Sequence, residues 1–299
     1  MRTARRTYYG AFFWLSLVAF VVPVVVAARA FQAAPRPFTK PTPQPDASRV
    51  DHALWDYLLK TYVADGLVDY EGMKRDYLFR TYLRQLGAAQ PEALATDSER
   101  LALLCNAYNA FVINGVIVHE ITDSVNGFRR GLKGFFALKE HIFAGRHVSL
   151  DDIEHKMIRK QFQEPRIHMA LVCAAKSCPP LRAEAYSGEQ LERQLEDQAK
   201  LFATDTEYVA YDAEANAVML SPILKWYSDD FGGQGGYLAF LAERVHEPGL
   251  KQAIEKARAG RLKVRFYEYD WSLNAQEGGA AARPSAGGGE FGSGSIPNE

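Results

Sequence analysis

From Arg100 to His119 the chain reads R-L-A-L-L-C-N-A-Y-N-A-F-V-I-N-G-V-I-V-H, a stretch that is almost entirely apolar. A helix that is apolar on every side is stable only when it is enclosed. The segment therefore predicts a central helix, capped at Asp97 or Ser98, around which the rest of the chain packs. Cys105 sits inside the pattern and reads as a core residue. Asn106 and Asn109 are three apart and share a face, and amides buried in such a helix need hydrogen-bond partners. They predict either donors to a developing oxyanion or to an imidazole, or ties from the helix to a neighbouring loop.

The flanking patterns alternate between the helical and strand periods. Leu54, Trp55, Leu58, Leu59 and Tyr62 recur at helical spacing, and a second helical region runs through Tyr77, Phe79, Tyr82 and Leu83. A hairpin is expected over 142–148, and Ser149 opens a capping-box-like helix start that runs to about Lys160. Ser187 is expected to cap a helix over 188–202, followed by strands at 208–211 and 217–220. Further helices are expected at 222–227 and 237–245, with a last strand over 262–271. The expected fold class is α+β: mixed helices on a small, mainly antiparallel sheet, forming a single domain over 51–275.

Both ends are of another kind. Arg2, Arg5 and Arg6 precede an uncharged run from Ala11 to Ala28, and Ala28-Arg29-Ala30 supplies small residues for cleavage. That is the layout of a secretory signal, or of a membrane anchor if it is not cut. Five prolines between Phe31 and Ser48 predict an extended linker over 31–50, and the Gly, Ala, Ser and Pro of 276–299 predict a disordered tail. A periplasmic or secreted protein is expected, held at the inner membrane only through an uncleaved N-terminal segment. The net charge of −1 excludes electrostatic capture of nucleic acid as a driving force.

The chemistry concentrates between Arg166 and Tyr186. The alternating stretch 167–173 reads as a buried strand that ends at Cys173 and turns through Ala174–Ser177 into Cys178-Pro179-Pro180. A thiol at a strand end can be rigid and still meet solvent. Three cysteines leave at least one thiol free within the chain. Cys173 reads as a nucleophile, as a buried structural cysteine, or as half of a disulfide with Cys178. His155 lies 18 residues earlier on the Ser149 helix and is the candidate base, with core packing as its structural alternative. Asp151, four residues before His155, and Glu154 compete to orient the ring. Arg166 is a candidate substrate-binding cation or an ion-pair partner of Glu154. His168 alternates away from Cys173 and reads as structural. His141, His147, His155 and His168 have irregular spacing, with no Cys-x-x-Cys or His-x-x-x-His pair, so no metal is expected. No phosphate-cradling or dinucleotide glycine motif is present, so no cofactor is expected.

Five pieces, Val68-Asp69-Tyr70, Asn106-Ala107-Tyr108-Asn109-Ala110, Ser149–His155, Arg166–Tyr186 and Tyr269–Asn274, together resemble the DUF547 domain family. Cys105 departs from that pattern, which holds a bulky apolar residue at this position. The resemblance implies a secreted or membrane-associated globular domain and a relation to papain- or transglutaminase-like thiol hydrolases. It carries Glu154 into the candidate site beside Cys173 and His155. The leading expectation is a cell-envelope cysteine hydrolase or acyl transferase acting on an amide, ester or thioester in a small-molecule or peptide substrate. The alternatives are a non-catalytic envelope binding or scaffold module and a thiol redox protein using Cys173 and Cys178. Terminal sequencing of the exported protein should find Phe31 as the first residue; a chain starting at Met1 in the membrane fraction would establish an anchor instead.

Overall fold

In this computed structural model the described residues are 39–42 and 50–277. The expected signal or anchor, most of the linker and nearly all of the tail lie outside them. Helix α1 (His52–Tyr62) starts where the Asp51 carboxylate accepts the Ala53 N–H at 3.0 Å. A two-residue hairpin of β1 (Val63–Ala64) and β2 (Leu67–Val68) turns at Asp65-Gly66, both with positive φ, the geometry that suits a tight hairpin. Helices α2 (Tyr70–Arg75) and α3 (Tyr77–Gly87) follow, capped by Asp69 and Asp76.

The apolar segment forms α4 (Asp97–Val118), with Leu101 to Ile113 buried without a break. Its cap is Thr96, one residue before the expected positions. The Thr96 hydroxyl accepts the Glu99 N–H at 3.1 Å, and the Glu99 carboxylate accepts the Thr96 N–H at 3.0 Å. Thr96 wins because only it has a glutamate three residues on to close the box. Two hairpins come next, β3 (Arg129–Arg130) with β4 (Lys133–Gly134), and β5 (His141–Phe143) with β6 (Arg146–Val148).

Beyond β6 a seven-residue π-helical turn, Asp152–Ile158, runs into α5 (Arg159–Phe162). A 3-10 turn over Pro165–Met169 precedes the cysteine loop, and α6 (Leu191–Thr204) follows it. Strands β7 (Val209–Asp212) and β8 (Ala217–Leu220) pair antiparallel. Helices α7 (Ile223–Trp226), α8 (Gly233–Arg244) and α9 (Pro248–Arg258) lead to β9 (Lys263–Phe266), which pairs parallel to β8. The fold is α+β with small, mainly antiparallel sheets. Sequence reasoning assigns no element to α9; its start is set by Pro248 after Glu247, whose carboxylate accepts the Gly249 N–H at 2.8 Å.

Two apolar clusters organise the molecule. The first surrounds α4 with Leu54, Trp55 and Leu58 of α1 and Tyr82 and Leu86 of α3, Trp55 lying parallel to Tyr82 at 5.4 Å. The second lies between the three-stranded sheet and α8 and α9. Helix α6 joins them: Leu191 and Leu195 enter the first, Phe202 and Ala203 the second. Full burial of each such aliphatic or aromatic side chain contributes about 1.5–3 kcal/mol.

The expected strand over 167–173 is not formed. Pro165 opens a 3-10 turn instead, and the Glu164 carboxylate accepts the Arg166 N–H at 3.1 Å. Leu171 N–H then bonds back to Ile167 C=O. The extended residues beyond it are paired by a side chain rather than a strand. Asn109 donates to Ala170 C=O and accepts the Val172 N–H, each at 2.9 Å. Ser187 likewise does not cap α6, which begins at Leu191 with no side-chain cap.

The segment after β9 straps the fold together. Lys176 N–H bonds to Ser272 C=O, Asn274 N–H to Ala174 C=O and Val68 N–H to Asn274 C=O. Gln276, expected to open the disordered tail, is fastened: its N–H reaches Val68 C=O at 3.0 Å and its amide reaches Leu67 C=O at 3.0 Å.

Asn109→Leu keeps the volume but leaves Ala170 C=O and Val172 N–H buried without partners. It should cost about 2–4 kcal/mol, seen as a lower urea midpoint at unchanged slope. An unchanged midpoint would show that this clamp contributes nothing.

Candidate functional site

The π-helical turn begins with a reciprocal pair. Ser149 Oγ accepts the Asp152 N–H at 3.1 Å, and the Asp152 carboxylate accepts the Ser149 N–H at 3.2 Å. Lys156 at 2.5 Å and Lys139 at 3.3 Å hold the Asp152 carboxyl far below the usual carboxylate range. π-Helical geometry is rare and recurs at functional sites. Here it changes which residues share a face, because its turn is wider than the 3.6 residues assumed for Asp151 and His155. Burial raises the pKa of Asp151, while His155 works against the shift.

Glu154 points inward and is 7% exposed. The phenols of Tyr108, on α4, and Tyr227, after α7, are its electrostatic neighbours. Burial first, and the Glu154 charge second, push both phenols well above the usual tyrosine range. His155 faces outward, with Nδ1 3.0 Å from Arg159 Nη1 and 4.0 Å from Glu154 Oε1. An arginine N–H can only donate, so Nδ1 is the acceptor in this contact.

Arg159 also grips Asp230 with two bonds, Nε to Oδ2 at 2.6 Å and Nη2 to Oδ1 at 2.8 Å. Asp230 accepts a third bond at 2.7 Å from His168 Nε2, and His168 stacks on Tyr227 at 3.8 Å. The closest histidine–carboxylate contact in this cluster is therefore His168–Asp230.

Cys173 and Cys178 are joined as a disulfide with Cα atoms 6.4 Å apart. Cys178 is 5% exposed, whereas Cys173 is partly exposed. Cys178 Sγ accepts the Cys173 N–H at 3.0 Å and the Tyr269 hydroxyl at 3.2 Å, and the same hydroxyl lies 3.2 Å from Cys173 Sγ. Tyr269 packs with Trp271 and with Trp226, which is half exposed. Cys105 is fully buried, and burial raises its thiol pKa beyond the usual range.

Cys173 and His155 thus have different partners: the first has Cys178 and Tyr269, the second Arg159 and Glu154. Asn106 donates to Tyr186 C=O at 2.8 Å and accepts the Tyr186 N–H at 2.9 Å, and its Nδ2 also lies 3.2 Å from the imidazole Nδ1 of His52. Arg166 is tied to Glu164, Glu192 and Glu196. Among the described residues, no three His, Cys, Asp or Glu side chains gather as metal ligands would.

A cleft of about 550 Å³ opens beside the disulfide. Lys176–Pro180 form one wall, and Asp65–Leu67, Tyr208, Tyr267 and Asp270 form the others. Tyr227, Asp230 and Tyr269 are site residues that sequence reasoning missed as individuals. Tyr269 carried a signal through the Tyr-Asp-Trp run; Asp230 carried none, since its partners are 62 and 71 residues away.

The pH response follows from His168. Burial lowers its pKa to about 4, against the pull of Asp230. In the unfolded chain the group titrates near about 6.5. The unfolded state therefore takes up the proton first, so this contribution is complete above that value and is lost as pH falls toward about 4, on the order of 3 kcal/mol across the window. Buried His141, also lowered to about 4, acts in the same direction. The melting temperature should fall through this window, and His168→Phe should flatten the slope; a melting temperature independent of pH would contradict the assignment.

No curated protein and no solved structure matches the chain. Residues 91–203 match the family described as "Protein of unknown function, DUF547". The matched span holds α4, the π-helical turn, the cysteine loop and nearly all of α6, while Tyr227, Asp230 and Tyr269 come from beyond it. The similarity to DUF547 is thus confined to residues 91–203, within a fold that continues to Gln276.

Proposed function

We propose that this protein is a cell-envelope binding module whose cleft takes a small-molecule or peptide ligand. The observation that carries the reading is the cleft itself, about 550 Å³ with a wall cross-linked by Cys173–Cys178. That volume is in the range of small-molecule sites. A wall fixed by a disulfide and by the Lys176–Ser272 and Asn274–Ala174 backbone bonds is ordered before a ligand arrives, which lowers the cost of binding. Asp65, Glu207, Glu268 and Asp270 outnumber Lys176 around the opening, so amine-bearing ligands are favoured over anions. The expected envelope location agrees with the disulfide, since such bonds persist in oxidising compartments.

A second reading, a cysteine hydrolase or acyl transferase acting on an amide, ester or thioester, is favoured by one observation. Tyr269 is placed to donate to a Cys173 thiolate. It requires the disulfide to be reduced and His155 to turn away from Arg159.

The binding reading is tested by titrating the full chain with short basic peptides and following amide resonances of Ala175–Cys178 and Tyr267. Saturable shifts there, weakened about tenfold or more by Tyr267→Ala, are expected; the absence of any saturable shift would remove the reading. Alkylation of reduced Cys173 near neutral pH, slowed sharply by His155→Ala, would support the hydrolase instead.

A further inference from the structure

The disulfide does more in this geometry than fasten a loop. Its two residues are unlike: Cys173 is partly exposed and Cys178 is buried. The hydrogen bonds are unlike too. Cys178 Sγ alone receives the Cys173 N–H, at 3.0 Å, while the Tyr269 hydroxyl lies 3.2 Å from each sulfur and so can serve whichever one carries the charge. Thiol–disulfide exchange depends on which sulfur can be attacked and on how well the other carries negative charge as it leaves. A partly exposed cysteine bonded to a buried one whose sulfur already faces two donors meets both conditions. A purely mechanical staple needs neither.

We propose that Cys173–Cys178 is a redox-active pair that exchanges with a dithiol of a partner reductase, with Cys173 as the attacked sulfur, Cys178 as the leaving and resolving sulfur, and Tyr269 as a positioning residue. A thiolate of the donor attacks Cys173 Sγ. The Cys173–Cys178 bond breaks and its electron pair passes to Cys178 Sγ, where the Cys173 N–H and Tyr269 O–H stabilise it until a proton arrives. The donor's second thiolate then attacks its own sulfur in the mixed disulfide and releases Cys173 as a thiolate, which is protonated in turn. Two electrons and two protons enter this chain, and the donor dithiol becomes a disulfide. In reverse, Cys178 thiolate resolves a mixed disulfide formed at Cys173. The half-exposed Trp226, packed on Tyr269, gives the reductase an apolar surface beside the partly exposed cysteine.

The test uses the full chain with glutathione and dithiothreitol as probes. In native buffer, dithiothreitol should open the pair while circular dichroism stays unchanged, with two newly alkylated thiols counted by mass spectrometry. Cys178→Ser with oxidised glutathione should trap one adduct at Cys173; Cys173→Ser should give none on the same time scale. Tyr269→Phe should slow reduction about tenfold, the scale of one lost hydrogen bond to a charged atom. Release of thiols only together with unfolding would overturn the proposal, as would preferential adduct formation at Cys178 or a Tyr269→Phe rate equal to the parent. If Cys178→Ser does not fold, the thiol count and the Tyr269→Phe rate on the otherwise native chain still decide it. Peptide titration of the cleft is independent, because cleft occupancy can be read with the disulfide closed.

Discussion

Enclosing α4 is the requirement that every other element serves. A 22-residue helix buried on nearly all sides leaves no polar face to give to water. The two amides within it, Asn106 and Asn109, do what solvent would otherwise do. Each offers both its donor and its acceptor to a passing backbone, Asn106 to Tyr186 and Asn109 to Ala170 and Val172. The helix thereby fixes both ends of the cysteine loop without a continuous sheet. The positions that sequence reasoning marked as potential oxyanion donors hold the scaffold on which the disulfide rests.

The candidate site forms where the two apolar clusters meet. Cys173 packs against the α4 cluster, while Tyr227 and Tyr269 pack against the sheet cluster. A carboxylate as buried as Glu154 would be costly alone. Its charge is felt by two phenols, Tyr108 of α4 and Tyr227 from beyond α7. Asp230 joins the halves, accepting from Arg159 of α5 and from His168 of the 3-10 turn.

Periodicity and capping chemistry made the helices and hairpins legible. The 3.6-residue pattern located α1, α3 and α4, and the Ser149–Asp152 box located the π-helical turn, though not its wider winding. The segment 167–173 was misleading because alternation specifies burial on one side, not the partner that supplies the hydrogen bonds. A proline one residue past a capping glutamate decided its start, and an asparagine 61 residues upstream satisfied its end. The cysteine pair was legible as one of three possibilities. Asp230 and Tyr227 were not legible as site residues, since their roles exist only once α5 and the 3-10 turn are packed beside them. The DUF547 resemblance marked Val68 and Asn274, which the fold brings into direct backbone contact across the molecule.

The strap over 267–276 bears on how the protein is made. It supplies backbone partners to Leu220, Ala174, Lys176 and Val68, residues synthesised well before it. A nascent chain lacking it has α4 and α6 in hand, yet the edges they present near Val68 and the cysteine loop stay unpaired. Long-range pairings of this sort form late and leave transient intermediates open to aggregation. Completion of these pairings therefore waits on the most C-terminal described residues.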